Sequence, residues 1–176
     1  MTTTVINLSS LDGTNGFRLD GEGGRSGRSV SSAGDVNGDG FDDVIIGAPG
    51  ANSSYVVFGK AFGFDATLDL SSLGGSNGFR MGGGGDSSGG SVSTAGGVNG
   101  DGFDDVIVGA IGADPNGRDS GSSYAVFGKA SGFDAAVDLS SLNGSNGFRL
   151  DGEARLDFSG RSVSNAGDVN GMVLMI

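Results

Sequence analysis

The sequence predicts an all-β protein built from a repeated antiparallel sheet, and three observations lead to that prediction. The 176 residues include 38 Gly, and the hydrophobic residues (36%) gather in short runs rich in β-branched and aromatic side chains. An Asn-Gly-Phe-Arg stretch occurs three times, with its Phe at positions 17, 79 and 148. An acidic, glycine-rich loop precedes the apolar runs 43–48 and 105–110. Internal repetition of this kind is typical of repeat architectures such as propellers and solenoids.

Each repeat is predicted to contain four short strands. The first is rich in small residues, the second is apolar on both faces and therefore buried, and the third is aromatic. An Asn-Gly pair, which suits a tight reversal, introduces the fourth. Sheets of this kind, packed between neighbours on both faces, are the blades of a β-propeller. In the first repeat the four strands are predicted at Ser29–Ala33, Asp43–Ala48, Tyr55–Phe58 and Phe79–Met81.

The repeats divide the chain into two complete blades with flanking strands. We expect residues 1–28 to hold a leading outer strand and link, 29–90 the first blade and link, and 91–161 the second blade and link. Residues 162–176 are then the first strand of an incomplete blade with a divergent tail. Because two blades cannot close a ring and open sheet edges invite pairing, we predict a homo-oligomer with exchanged terminal strands. In it, the apolar tail Val173–Ile176 would be buried; the alternative is a truncated fragment.

Charge and composition exclude several classes of function. The net charge of −11 and pI near 4.1 disfavour nucleic acid and anionic membrane surfaces as partners. There is no Cys, so disulfides are excluded, and no apolar run is long enough for a membrane-spanning helix. The first residues do not have the basic and apolar regions of a cleavable signal peptide.

The loop between the first two predicted strands has the spacing of a calcium site. Ca²⁺ takes six to eight oxygen ligands, and a short loop can supply them when alternate side chains turn inward. Gly at loop position 6 would allow the sharp reversal. An EF-hand is excluded because position 12 is Ile46 and a strand follows. A turn rich in Asn and Asp that binds nothing is the open alternative. The predicted ligands are the side chains of Asp35, Asn37, Asp39 and Asp43 and the carbonyl of Phe41.

The other two copies of this loop are predicted to bind more weakly or not at all. In the second copy Gly97 replaces the first Asp, which removes one carboxylate and weakens the site. Its remaining ligands are Asn99, Asp101, Asp105 and the carbonyl of Phe103. In the third copy, Met172 stands where an Asp belongs, so no site is expected.

The stretch from Gly34 to Pro49, GDVNGDGFDDVIIGAP, resembles the FG-GAP repeat, and so does Gly97–Gly109. FG-GAP repeats are the blade units of the integrin α-subunit propeller and of many bacterial secreted proteins. The resemblance covers nearly the whole chain. It implies a seven-bladed propeller with Ca²⁺ in some hairpin loops and ligand recognition on one face. It also implies an extracellular or cell-surface location and a role in adhesion.

We expect a calcium-binding, non-enzymatic module for adhesion or protein–protein interaction. The chain has no His and no Cys, so His-based triads, thiol nucleophiles and imidazole zinc sites are excluded. A carbohydrate-binding, lectin-like propeller is the first alternative, because the family that the chain resembles includes lectins. An accessory domain or fragment of a larger secreted enzyme is the second.

The recurring Phe and Arg residues have structural interpretations. Phe17, Phe79 and Phe148 are expected to pack in the core. The Arg that follows each of them points away from its apolar neighbours, and we expect it to pair with a nearby carboxylate. Asp42 and Asp104 are predicted to lie beside a metal ligand but to point to the opposite side of the strand.

Overall fold

The computed structural model describes residues 6–130 and 132–166, and this part of the chain is all-β. Four short 3-10 turns accompany the strands: Leu8–Ser10 precedes the first strand, and Pro49–Ala51, Leu70–Ser72 and Leu139–Ser141 lie between later ones. The strands in chain order are β1 (Arg18–Asp20), β2 (Ser29–Gly34), β3 (Asp43–Ala48), β4 (Ser53–Val57), β5 (Thr67–Asp69), β6 (Gly78–Gly82), β7 (Asp86–Gly96), β8 (Asp105–Gly112), β9 (Ser122–Val126), β10 (Ala136–Asp138) and β11 (Gly147–Asp151).

Two four-stranded antiparallel sheets form the body of the protein, as predicted. In the first, the strand order β6-β4-β3-β2 follows the chain, and in the second the order is β11-β9-β8-β7. The buried central strand β3 has the predicted bounds, because Asp43–Ala48 is apolar on both faces after its first residue. The third strand begins two residues earlier than predicted, at Ser53, since the hydroxyls of Ser53 and Ser54 are small enough to be buried there.

A parallel strand at the outer edge of β1 and of β6 was not expected from the sequence. β10 belongs to the second repeat but pairs in parallel with β6 of the first, with Val137 opposite Met81. In the same way β5 pairs in parallel with β1, with Leu68 opposite Leu19. Each repeat therefore donates one strand to the outer edge of the sheet that precedes it.

The two blades share one hydrophobic core. Val36, Val56 and Phe79 of the first blade lie in the same buried cluster as Val92 and Tyr124 of the second. Aromatic stacking crosses the blade boundary, since the rings of Phe79 and Phe133 lie 4.3 Å apart and nearly parallel. A second cluster, with Tyr55 and Leu70, lies on the other face of the first blade. The core position predicted for Phe79 is confirmed, whereas Phe17 and Phe148 are only partly buried.

The predicted ion pairs of the recurring Arg residues are confirmed at two of three positions. Arg18 pairs with Asp20, and Arg149 pairs with Asp151 at 2.8 Å. The prediction was wrong for Arg80, whose guanidinium donates to the Ser53 hydroxyl at 2.8 and 3.0 Å. Gly82 occupies the position that holds the Asp in the other two repeats, so no carboxylate is there to accept.

Residues 162–166, which were predicted to form a trailing first strand, have no assigned strand. The segment is nevertheless placed like a first strand: Val163 N–H donates to Ser91 Oγ at 3.0 Å, as Val92 N–H does to Ser29 Oγ at 3.1 Å. The third loop copy and the tail Val173–Ile176 lie outside the described residues. In the described part of the chain, no helix has the length and hydropathy needed to cross a membrane.

Candidate metal centre

The first acidic loop joins β2 to β3, so strands flank it and the exclusion of an EF-hand is confirmed. Gly40 has φ +88°, a conformation that Gly adopts without steric cost, and it provides the reversal that the sequence predicted. Gly38 also has a positive φ, and a Cβ there would lie 2.3 Å from the Phe103 ring of the next blade. Both glycines are therefore required by the path of the loop.

The predicted ligands fold the loop through a ladder of side-chain to backbone hydrogen bonds. Asp35 accepts from the N–H groups of Asp39 (3.0 Å) and Gly40 (2.9 Å). Asn37 Oδ1 accepts from Asp39 N–H, and Asp39 Oδ1 accepts from Phe41 N–H. Asx turns of this type hold a short loop in one shape.

Asp43 ends the loop and is almost fully buried, with 1% of its surface exposed. Its two oxygens accept from Val36 N–H (3.0 Å) and Gly59 N–H (2.8 Å), which ties the loop to the segment that follows β4. Burial raises the pKa of Asp43 to about 6, against the lowering effect of these two bonds. The negative charges of Asp39 and Asp35 raise this pKa further.

The second loop repeats this arrangement with one ligand missing. Asp105 is fully buried and accepts from Val98 N–H (2.7 Å) and Gly128 N–H (2.9 Å). Burial raises the pKa of Asp105 as well. Asn99 Oδ1 and Asp101 Oδ1 close the same Asx turns as in the first loop. The missing first carboxylate is at Gly97, where a Cβ would point toward the Phe103 carbonyl oxygen at 3.3 Å.

The chemistry of the donor set fits calcium, because all of its members are hard oxygen donors. None of the ion pairs found in residues 6–130 and 132–166 involves a candidate ligand, so no basic side chain offsets the buried carboxylates. Within those residues, however, no three acidic, His or Cys side chains form a group that could hold a metal ion. The candidate oxygens instead accept from backbone N–H groups of their own loop and, at Asp43 and Asp105, of the segments that follow β4 and β9.

Asp104 has a role that sequence reasoning missed, because it connects the loop of one blade to the next blade. Its Oδ2 accepts from Asp35 N–H at 2.9 Å, and its own N–H donates to the Asp35 carbonyl at 3.2 Å. The Lys129 N–H donates to the Val36 carbonyl at 3.0 Å, which extends the same contact. The repeated Asp-Asp pair before each second strand was the available signal, but only one member of the pair has the spacing of a ligand.

An all-β chain of repeated antiparallel blades with acidic hairpin loops is a repeat protein of the propeller class. Within it, residues 26–61, which include the whole first loop, match the FG-GAP repeat family. Integrin alpha pat-2 of Caenorhabditis briggsae is 32% identical over 123 residues, a match that covers 60% of this chain and 9% of that protein. Residues 26–61 are therefore similar to an FG-GAP repeat, and the chain spans less than a tenth of the integrin that it matches.

Proposed function

We propose that this chain is a calcium-stabilised, non-enzymatic propeller module that acts in adhesion or protein–protein contact at a cell surface or outside the cell. The observation that carries the proposal is the first acidic loop, which lies inside the family match and has only oxygen donors at metal-ligand spacing. The adhesive role is supported by the similarity to an integrin α-subunit.

In the first loop, Ca²⁺ would be held by the side chains of Asp35, Asn37, Asp39 and Asp43 and the carbonyl of Phe41. A divalent cation would supply the positive charge that the buried carboxylate now lacks, and loop glycines would let the side chains turn inward. The second loop would bind the ion more weakly, because it has one carboxylate fewer. Its ligands would be the side chains of Asn99, Asp101 and Asp105 and the carbonyl of Phe103.

Calcium at the first loop would also stabilise the contact between the blades. The loop backbone at Asp35 is hydrogen-bonded to Asp104 of the second blade. An ion that fixes the loop therefore fixes a part of the blade boundary. Since a ligand that binds only the folded state raises its stability by mass action, the melting temperature should rise with calcium concentration.

The calcium proposal is tested by calorimetric titration with CaCl₂ and by thermal melting in CaCl₂ or EDTA. We expect binding heat for the wild-type chain, and loss of the tighter site in Asp39→Ala because a central carboxylate is gone. Asp42→Ala is the matched control: it removes the same charge from an exposed neighbour that is not a predicted ligand. If the wild-type chain gives no heat at millimolar calcium and melts alike in EDTA, the metal assignment is wrong.

The second loop offers a gain-of-function test. Gly97 does not have a positive φ, and a Cβ there would lie 3.3 Å from the Phe103 carbonyl oxygen, which a shift of a few tenths of an ångström would accommodate. We expect Gly97→Asp to tighten calcium binding at this loop by roughly tenfold or more, because it restores a charged ligand. Gly97→Asn, which adds an uncharged oxygen donor, should give a smaller gain in the same titration. Unchanged affinity in both variants would contradict the assignment of the second loop.

The adhesive role is tested by cell attachment to surfaces coated with the chain, in calcium or in EGTA. Attachment that requires calcium and is lost on an Asp39→Ala coat supports the proposal. Attachment that free sugars abolish, together with signals on a glycan array, would favour the carbohydrate-binding alternative instead.

A further inference from the structure

A Leu-Ser-Ser-Leu motif occurs three times in the chain, and in the described structure two copies are buried and one is not. Each copy forms a 3-10 turn that is capped by the preceding Asn or Asp, which accepts from a Ser N–H at 2.8–3.0 Å. Leu70 and Leu139, the first Leu of the second and third copies, are 2% and 1% exposed. The equivalent Leu8 is 77% exposed, and Ile6 just before it is 67% exposed.

The two buried copies are held in place by the strand that precedes them. β5 lies in parallel beside β1, and β10 lies in parallel beside β6. The main-chain contact is repeated as well: Arg18 N–H donates to the Ala66 carbonyl at 3.0 Å, and Arg80 N–H donates to the Ala135 carbonyl at 2.9 Å. In the pair of β10 and β6, Met81 is fully buried.

The edge that would receive a third such strand is open. β11 is the repeat equivalent of β1 and β6, and within the described chain it pairs only with β9. Leu150, which corresponds to Met81, is 53% exposed. Residues 162–166 do not occupy this edge, since Val163 contacts Ser91 on β7, at the opposite side of the sheet. Residues 6–130 and 132–166 therefore present one uncovered apolar donor segment and one uncovered acceptor edge.

We propose that the segment Ile6–Leu11 of one copy docks at the outer edge of β11 in a second copy, with Ile6 and Asn7 parallel to that strand and the 3-10 turn Leu8–Ser10 after them, as in the two existing pairs. The register of the two existing pairs places Ile6 opposite Leu150 and Asn7 opposite Asp151. Both apolar side chains would be covered by each other, as Val137 and Met81 are. Asn7 is uncharged where the other copies have Asp, so it adds no second carboxylate beside Asp151, which is already paired with Arg149.

This association is head to tail, because donor and acceptor are different surfaces of the same chain. Each copy has one of each, so contacts of this kind propagate into a ring or an open chain unless both ends are satisfied. Strand addition of this type draws its affinity from main-chain hydrogen bonds and its specificity from alternate side chains. The interaction uses none of the calcium ligands, so it is independent of the proposed metal function.

The test is size-exclusion chromatography with light scattering, in EDTA, from about 1 to about 200 µM, the range in which small interfaces associate. We expect oligomers of the wild-type chain, and monomers of Ile6→Asp and of Leu150→Asp. A mixture of the two variants should give a discrete heterodimer, because each keeps the partner surface that the other has lost. Phe62→Ser is the control and should associate like the wild type, since Phe62 is exposed outside the interface and the second repeat has Ser there.

Cysteine pairing gives a second measurement that does not depend on the stability of the oligomer. The chain has no Cys, so mixing Ile6→Cys with Leu150→Cys permits only the disulfides that the substitutions introduce. We expect the heterodimer to form faster than either homodimer, while a mixture of Phe62→Cys and Leu150→Cys should not show this preference. A wild-type chain that stays monomeric over the whole range, or oligomers that neither Asp variant dissolves, would overturn the proposal.

Discussion

At the scale of single residues, two aspartates that occupy the same place in the repeat have different surroundings. Asp104 bonds the loop of the first blade through both its side chain and its backbone N–H. Asp42, its equivalent in the first blade, is exposed and forms no side-chain hydrogen bond within the described chain. Gly34 shows how close the contact at Asp104 is, because a Cβ there would lie 2.2 Å from the carboxylate.

We therefore expect Asp104→Ala to destabilise the protein and Asp42→Ala to leave its stability nearly unchanged. A partly buried hydrogen bond to a charged acceptor contributes about 1–3 kcal/mol, and its loss leaves the Asp35 N–H without a partner. An exposed substitution away from such contacts changes stability by less than about 0.5 kcal/mol. Urea unfolding in EDTA measures the stability of both variants without interference from bound metal. Equal losses in the two variants would show that the interblade bond contributes nothing.

The sequence predicted the chemistry of this region better than its geometry. The spacing from Asp35 to Asp43 identified a closed loop between two strands, because spacing within nine residues is local information. It did not identify Asp43 as the acceptor of the Gly59 N–H, since that contact depends on where the chain returns after β4. It missed the interblade role of Asp104 for the same reason, because the partner lies 69 residues away.

At the scale of elements, the outer parallel strand determines which copy of the Leu-Ser-Ser-Leu motif is buried. β10 and its 3-10 turn place Leu139 against Tyr124 and Gly84. The identical motif at Leu8–Leu11 has no strand beside its leading residues within the described chain. The same local sequence therefore contributes to stability in one place and not in the other.

This contrast predicts that Leu139→Ala destabilises the fold by about 2–5 kcal/mol, the usual cost of truncating a fully buried Leu. Leu8→Ala, measured at a concentration below that of any association, should change stability by less than about 0.5 kcal/mol because Leu8 is mostly exposed. The stabilities of the two variants are compared through their denaturant midpoints, with the same denaturant dependence of the free energy of unfolding in both. A similar loss for both would mean that Leu8 is buried in solution by the monomer itself.

The four antiparallel strands of each blade were predictable, and the fifth was not. Alternation and apolar runs identify strands that pair with their neighbours in the chain, such as β3 and β4. β5 and β10 have only three residues each, and their partners are strands of the preceding repeat. The repeated Asp-Leu-Ser-Ser-Leu sequence was the available signal, since an Asp followed by Ser is a typical cap of a short helical turn.

At the scale of the whole molecule, one core joins both blades. The cluster that contains Phe79, Val56 and Val36 of the first blade also contains Val92 and Tyr124 of the second. Small single domains with a continuous core usually unfold in one cooperative transition. The two blades are therefore expected to unfold together, although the repeats suggest two separable units.

The two tyrosines allow this to be measured, because the chain has no Trp and each blade contains one Tyr. Tyr55→Phe leaves Tyr124 as the reporter of the second blade, and Tyr124→Phe leaves Tyr55 as the reporter of the first. In each variant, tyrosine fluorescence and far-UV circular dichroism should give the same urea midpoint. Added calcium should raise the urea midpoints reported by both tyrosines together, since the first loop is bonded to the second blade through Asp35 and Asp104. Separate midpoints for the two signals would instead mean that each blade folds independently and that the shared cluster contributes little to cooperativity.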